Sequence, residues 1–119
     1  MNICITSAGS INGVNVIKAL QKEIEWQKEW GKNISKEYRI KLNLVAVDAD
    51  KLGAGLYMVD RDYVVPKADN KKFIPELLKI CKKEKIDVLL PILSYEIPVI
   101  IKNKKRFENI GVKMAVSDL

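Results

Sequence analysis

The sequence predicts an α/β protein in which helices cover both faces of an open, five-stranded parallel sheet. Short apolar runs rich in Val, Ile and Leu recur along the 119 residues and are typical of strands buried on both faces. Most of these runs are separated by segments whose apolar residues repeat every three or four positions, as in an amphipathic helix. This alternation predicts right-handed crossovers, a three-layer sandwich and the strand order 3-2-1-4-5.

The predicted strands are, in chain order, Ile3–Thr6, Leu42–Val47, Tyr63–Val65, Val88–Leu90 and Val112–Val116. The first helix follows the first strand, and Gly31 is suited to end it. The link before the third strand has room for one helical turn around Leu56–Met58. Pro75 predicts a late or distorted start to the second main helix. A third helix spans Ile97 to Phe107, with Ser94 as its predicted N-cap and Gly111 after its end.

Length and composition predict one globular domain over residues 1–119, with 48% hydrophobic and 30% charged residues. No apolar stretch approaches the ~20 residues of a membrane span, and no secretory signal is visible. Cys4 and Cys81 both lie in apolar segments and are expected to be buried, free thiols. These features predict a cytoplasmic protein with no membrane partner.

The absence of histidine excludes a Ser-His-Asp triad and a histidine-ligated metal from this sequence. The formal net charge of +6 raises the question of nucleic-acid binding. The lysines, however, fall on the solvent faces and C-terminal ends of the predicted helices, where cations suit the helix dipole. Because no aromatic stacking platform or reading helix accompanies them, we do not expect a nucleic-acid partner.

The turn after the first strand, Ser7-Ala8-Gly9-Ser10, leads a strand into a helix, as in many phosphate sites. Its glycines, Gly9 and Gly13, do not form the G-x-G-x-x-G dinucleotide fingerprint, and no P-loop motif is present. Two interpretations stay open for this turn. It lines an anion-binding cleft at the helix N-terminus, or it is a corner of small residues that lets the helix pack close to the sheet.

Polar residues also follow the second and fourth strands. Asp48 and Asp50 end the second strand, and we assign Asp50 to turn capping while the role of Asp48 stays open. Ser94 and Glu96 follow the fourth strand. Strands one and four are neighbours in the predicted order, and their connections leave towards opposite faces, which opens a crevice at their carboxyl ends. The predicted cleft residues are therefore Ser7, Ala8, Gly9, Ser10, Asp48, Ser94 and Glu96, with no catalytic residue among them.

The segment Glu25–Lys41 is polar with interspersed Trp26, Trp30 and Tyr38. We interpret it as a long exposed helix end and loop whose aromatic rings lie on the domain edge. A contact surface for another domain or subunit is the alternative, and it leaves a homodimer open.

Four stretches in this order and spacing, MNICITSAGS, LVAVDADKLGAGLYMVDRDYVVPKAD, ELLKICKKEKIDVLLPILSYE and ENIGVKMAVSD, cover nearly the whole chain. Together they resemble the N-terminal, pre-ATP-grasp domain of carbamoyl-phosphate-synthase-like ATP-grasp proteins. Members of that family commonly read T-S-A-G-R in the first turn and Asp-x-Glu after strand four. This chain has Ser10 and Ser94 at the differing positions.

The resemblance implies a Rossmann-like domain that precedes a larger ATP-grasp module. That module would hold ATP and Mg²⁺ and join a small carboxylate to an amine through an acyl phosphate. The chain is then a fragment of a ligase, needs its own ATP-grasp module as a partner, and is inactive and without cofactor by itself. The alternative is a stand-alone α/β ligand-binding or protein-interaction module without catalysis.

Overall fold

The five strands form one parallel sheet in the order β3-β2-β1-β4-β5, which confirms the predicted architecture. The structure, a computed structural model, describes residues 1–30 and 41–115. The strands are β1 (Asn2–Ile5), β2 (Asn43–Asp48), β3 (Arg61–Val64), β4 (Val88–Leu90) and β5 (Lys113–Met114). All four strand pairings are parallel. Their bounds lie within about two residues of the predicted runs, apart from Val116, which lies outside the described residues.

Four α-helices and one 3-10 helix connect the strands of the described residues. They are α1 (Ile11–Trp30), the 3-10 helix (Ala54–Met58), α2 (Phe73–Lys83), α3 (Ile97–Lys102) and α4 (Lys104–Glu108). The 3-10 helix occupies the link in which one helical turn is predicted. The predicted end of α1 at Gly31 and the predicted loop up to Lys41 fall mainly on residues 31–40, outside the described residues.

Two apolar clusters, one on each face of the sheet, form the core. On one face, α2, α3 and α4 pack against Cys4, Val45 and Leu89. On the other, α1 and the 3-10 helix pack against Ile5 and Ala46. Both cysteines are free and buried, as predicted, and the Cys81 thiol together with burial raises the pKa of Cys4 well above its ordinary value.

Three helix predictions need correction. Helix α2 starts early at Phe73, because Pro75 lies in the first turn, where a missing N–H breaks no helical hydrogen bond. The third predicted helix is divided at Asn103, whose side-chain amide donates to the Val99 carbonyl at 2.8 Å. Ser94 does not cap α3: the N-cap residue is Glu96, and no side chain caps this helix.

The amino edge of the sheet is held together by hydrogen bonds around Glu84, just after α2. The Tyr63 hydroxyl donates to the Glu84 carboxyl group, and Arg61 Nη1 lies 3.2 Å from the same oxygen. The Asn2 side chain donates to the Glu84 carbonyl at 3.1 Å. The hydrogen bond to Glu84 raises the pKa of Tyr63 above its ordinary 10.0. These bonds join β1, β3 and the end of α2.

Replacing Tyr63 with phenylalanine is expected to lower the free energy of unfolding by about 1 kcal/mol at pH 7, since one hydrogen bond is lost. Because the Tyr63 pKa is raised on folding, the hydroxyl stabilises the fold below pH 10.0. That contribution is lost as the pH rises through the raised pKa. Urea unfolding at increasing pH should show the stability difference between the two proteins narrowing once the pH exceeds 10.0. The matched control is Tyr57→Phe, which removes a solvent-exposed hydrogen bond from the Tyr57 hydroxyl to the Lys51 carbonyl at 2.9 Å. A larger loss there than at Tyr63 would contradict the assignment.

Candidate functional site

The first turn brings Ser7–Ser10 to the carboxyl edge of the sheet, and most of its backbone N–H groups already have partners. Ser7 adopts a positive φ of 47°, which reverses the chain after β1. Ala8 N–H donates to the Val47 carbonyl at 3.1 Å, and Ser10 N–H donates to the Ser7 carbonyl at 3.0 Å. Gly9 N–H donates to Asp48 Oδ2 at 2.6 Å. The turn is therefore closed by the protein's own acceptors and is no open phosphate cradle.

Helix α1 begins with a side-chain cap supplied by the same turn. Ser10 Oγ accepts a hydrogen bond from Gly13 N–H at 3.0 Å and donates to the Ser7 carbonyl at 2.7 Å. No described residue accepts from the N–H groups of Ile11 and Asn12. Only this first half-turn of α1 is therefore available to an anionic group.

Asp48 ties the second strand to the first turn. Besides accepting from Gly9, its carboxyl group accepts from Asp50 N–H at 2.9 Å through Oδ1. Asp50 in turn accepts from Leu52 N–H at 2.9 Å, which confirms its assignment to turn capping. The structure thus gives Asp48 a positioning contact within the protein.

Two further glycines, in the link after β2, pack directly on the first turn. A methyl group at Gly9 would lie 2.5 Å from Gly53 Cα, and one at Gly55 would lie 1.8 Å from the Ala8 carbonyl oxygen. A side chain on either residue would overlap backbone atoms. The small-residue interpretation of the turn therefore holds: its glycines allow the 3-10 helix to lie against it.

Glu96 is buried, with 5% of its surface exposed, and bridges β1 to the β4–α3 connection. Its carboxyl group accepts from the Thr6 hydroxyl at 2.7 Å and from the Ser7 hydroxyl at 2.5 Å. Leu93 N–H is a third, longer donor at 3.4 Å. These three donors hold the two connections together at the point where the sequence predicts a crevice.

The predicted cleft residues thus lie near one another at the carboxyl edge of the sheet but differ in solvent exposure. Ser7 and Ala8 are buried, as is Glu96, whereas Gly9, Ser10 and Asp48 are half-buried. Ser94 is exposed. The side chains of Ile11, Leu52, Tyr57 and Tyr95 are 61–82% exposed in the same connections and surround this edge with apolar surface.

Sequence reasoning missed Thr6, Gly53 and Gly55. A threonine at the end of a buried strand and two glycines spaced two apart, in Leu52-Gly53-Ala54-Gly55-Leu56, were the available signals. These signals do not reveal which distant residues Thr6 and the two glycines contact. The Thr6–Glu96 bond joins residues 90 positions apart.

A groove of about 1170 Å³ lies at the opposite, amino edge of the sheet, lined by residues that include Asn43, Arg61 and Lys83. Ligands of open α/β sheets bind at the carboxyl edge, and this groove borders Lys41, where the described residues resume. We therefore assign it no function. Within residues 1–30 and 41–115 no three His, Cys, Asp or Glu residues gather into a metal-binding group, and no helix is both long and apolar enough to cross a membrane.

The family model of the PylC-like N-terminal domain matches residues 3–115. The chain belongs to this family. It is a pre-ATP-grasp domain of the carbamoyl-phosphate-synthase-like ATP-grasp kind, which confirms the resemblance drawn from the sequence. The match indicates the N-terminal domain of an ATP-grasp ligase.

A solved structure of a dTDP-glucose 4,6-dehydratase from Bacillus anthracis, in complex with NAD, is similar to the PylC-like domain. The TM-score is 0.58 at 17% sequence identity, and the alignment covers 96% of this chain. The chain spans 36% of the dehydratase, so the likeness shows a shared Rossmann-like fold alone. No curated protein matches the chain.

Proposed function

We propose that this chain is the N-terminal domain of an ATP-dependent carboxylate–amine ligase and forms one wall of its substrate cleft. The observation that carries the proposal is the family match over residues 3–115. The parent protein, meaning the ligase that would contain this domain, also supplies the ATP-grasp module. We propose a cytoplasmic location for this ligase, because it would consume ATP.

The substrate-facing part of the wall is the exposed rim rather than the buried bridge beneath it. The buried Glu96 carboxyl group accepts hydrogen bonds from the hydroxyl groups of Thr6 and Ser7, and Asp48 accepts one from Gly9 N–H. Their contribution is to fix the two connections rigidly. The N–H groups of Ile11 and Asn12 and the exposed Ser94 are left to face a small carboxylate or amine.

ATP and Mg²⁺ belong, in this proposal, to the ATP-grasp module. One helix N-terminus contributes about 1 kcal/mol towards binding an anion, whereas micromolar affinity needs about 8 kcal/mol. The carboxyl groups at the edge, Asp48 and Glu96, accept hydrogen bonds from the protein itself, and we propose for them this positioning role. We do not extend NAD binding from the dehydratase to this chain. The Gly9 N–H group already donates to Asp48, and the Ser10 N–H group donates to the Ser7 carbonyl.

A bulky residue at Ser94 tests whether this rim faces substrate. Ser94→Trp in the parent protein is expected to lower kcat/KM by about tenfold or more, the equivalent of ~1.4 kcal/mol of transition-state binding. Its melting temperature should stay unchanged, since Ser94 is exposed and makes no capping bond. The matched control is Asn109→Trp at the exposed end of α4, remote from the edge. Equal kinetics for the two variants would place the substrate elsewhere.

A further inference from the structure

A second, smaller groove of about 530 Å³ lies between α2 and the end of α4. Both helices pack inward on the same apolar cluster, through Leu77 and Phe107, and the groove lies on their solvent side. None of its lining residues belongs to the connections at the carboxyl edge. We call this surface the α2–α4 groove; its walls include Pro75, Leu78, Lys79 and Lys82 of α2, and Arg106 and Ile110 at the end of α4.

The rim of the α2–α4 groove carries three cations, and none of its lining residues in the described ranges is acidic. Lys79 and Lys82 are exposed on one side of α2, and no described carboxyl group lies within ion-pair distance of either. Arg106 is exposed as well, and its Nη1 donates only to Asn103 Oδ1, at 3.4 Å. Three cations around one groove create a positive potential that attracts an anionic partner.

The acidic residues of the neighbouring elements do not neutralise this potential. The Glu108 carboxyl group lies 3.9 Å from Lys104 Nζ, and the Glu84 carboxyl group accepts from the Tyr63 hydroxyl at the amino edge. Neither carboxyl group lines the groove, and Glu76 in the first turn of α2 does not line it either. The positive charge is therefore concentrated at this groove.

The groove also offers apolar surface beside the cations. Leu78 is half-buried against the core, Ile110 is 36% exposed, and Pro75 is exposed in the first turn of α2. An inorganic anion would pair with the cations and leave this apolar surface in water, whereas a segment with both carboxyl groups and an apolar side chain would use both features. No lining residue in the described ranges is aromatic, so nucleic-acid bases find no stacking platform here.

We propose that the α2–α4 groove binds an acidic segment of a partner protein, in which carboxyl groups flank an apolar side chain. The apolar side chain packs on Leu78 and Ile110, and the flanking carboxyl groups pair with Lys79, Lys82 and Arg106. Charge complementarity selects this occupant. A second copy of the chain is disfavoured because it carries the same net charge of +6. This binding site is independent of the proposed ligase function.

Fluorescence anisotropy on chain 1–119 tests the proposal. The probe is a fluorescein-labelled peptide of glutamate pairs separated by leucine, E-E-L-E-E-L-E-E, and its comparison peptide has alanine in place of both leucines. The double variant Lys79→Glu and Lys82→Glu reverses the charge of the groove. Its matched control is Lys18→Glu and Lys22→Glu, two exposed lysines of α1 on the other face of the sheet. Both variants lower the net charge equally, and circular dichroism checks that both stay folded.

We expect the groove variant to bind the leucine peptide about tenfold or more weakly at about 0.1 M salt, because two ion pairs become repulsive. The control should change affinity by less than about twofold, since its charges are screened at that distance. The unaltered chain should bind the alanine peptide about fivefold more weakly than the leucine peptide.

Three outcomes would overturn the proposal. Equal losses in the two variants would show an attraction set by net charge alone, without a site. Equal affinity for the two peptides, or no saturable binding up to about millimolar concentration, would remove the amphipathic segment as the occupant. Tighter binding of a fluorescein-labelled single-stranded oligonucleotide than of the leucine peptide would assign the groove to nucleic acid instead.

Discussion

Replacing Gly55 with alanine is expected to lower the free energy of unfolding by about 3 kcal/mol or more. The added methyl group would lie 1.8 Å from the Ala8 carbonyl oxygen, and Ile17 Cδ1 is a further neighbour at 3.1 Å. Relief requires the 3-10 helix to move off the first turn, since the obstructing Ala8 atom is backbone. Urea unfolding followed by circular dichroism measures the loss.

The matched control is Gly111→Ala, at the turn that leads into β5. Gly111 has a φ of +85°, but no atom lies within 4 Å of an added methyl group. Only the cost of the left-handed conformation remains, about 1 kcal/mol. Equal losses at the two positions would show that the 3-10 helix does not pack on the first turn as described.

Replacing Glu96 with alanine is expected to cost about 3 kcal/mol of folding stability, the second large effect. The substitution leaves the buried hydroxyl groups of Thr6 and Ser7 without their acceptor and opens a void between the two connections. Thermal and urea unfolding should both show the loss.

Two variants isolate the role of the Glu96 carboxyl group. Glu96→Gln keeps the volume and one acceptor, so it should recover part of the lost stability. Glu76→Ala removes an exposed carboxyl group from the first turn of α2 and should change stability by no more than about 0.5 kcal/mol. If Glu96→Ala were as mild as Glu76→Ala, the bridge between β1 and the β4–α3 connection would be refuted.

The fold could be predicted because it depends on local patterns. Buried parallel strands read as continuous apolar runs, and the turn residues between them mark the crossovers. The break at Asn103 could not be predicted, because apolar spacing from Ile97 to Phe107 suits one continuous helix as well as two short ones. Ser94 was mistaken for a cap because residue type alone does not fix backbone conformation.

The site was predicted only in outline. Topology brings Ser7, Asp48 and Glu96 to one edge, and this much follows from the strand order. Their hydrogen bonds depend on loop conformations that local sequence does not determine. Gly9 illustrates the consequence: it is one of the predicted cleft residues, so a valine there is expected to lower turnover, yet the added side chain would also collide with Gly53 Cα. Activity and stability cannot be separated at that position.

The most direct test is a calorimetric titration of Mg·ATP into chain 1–119 and into the parent protein under the same conditions. If the domain forms a cleft wall while the ATP-grasp module holds the nucleotide, saturable binding at micromolar concentrations occurs only with the parent protein. Saturable micromolar binding by chain 1–119 alone, or no binding by the parent protein, would contradict this division of roles.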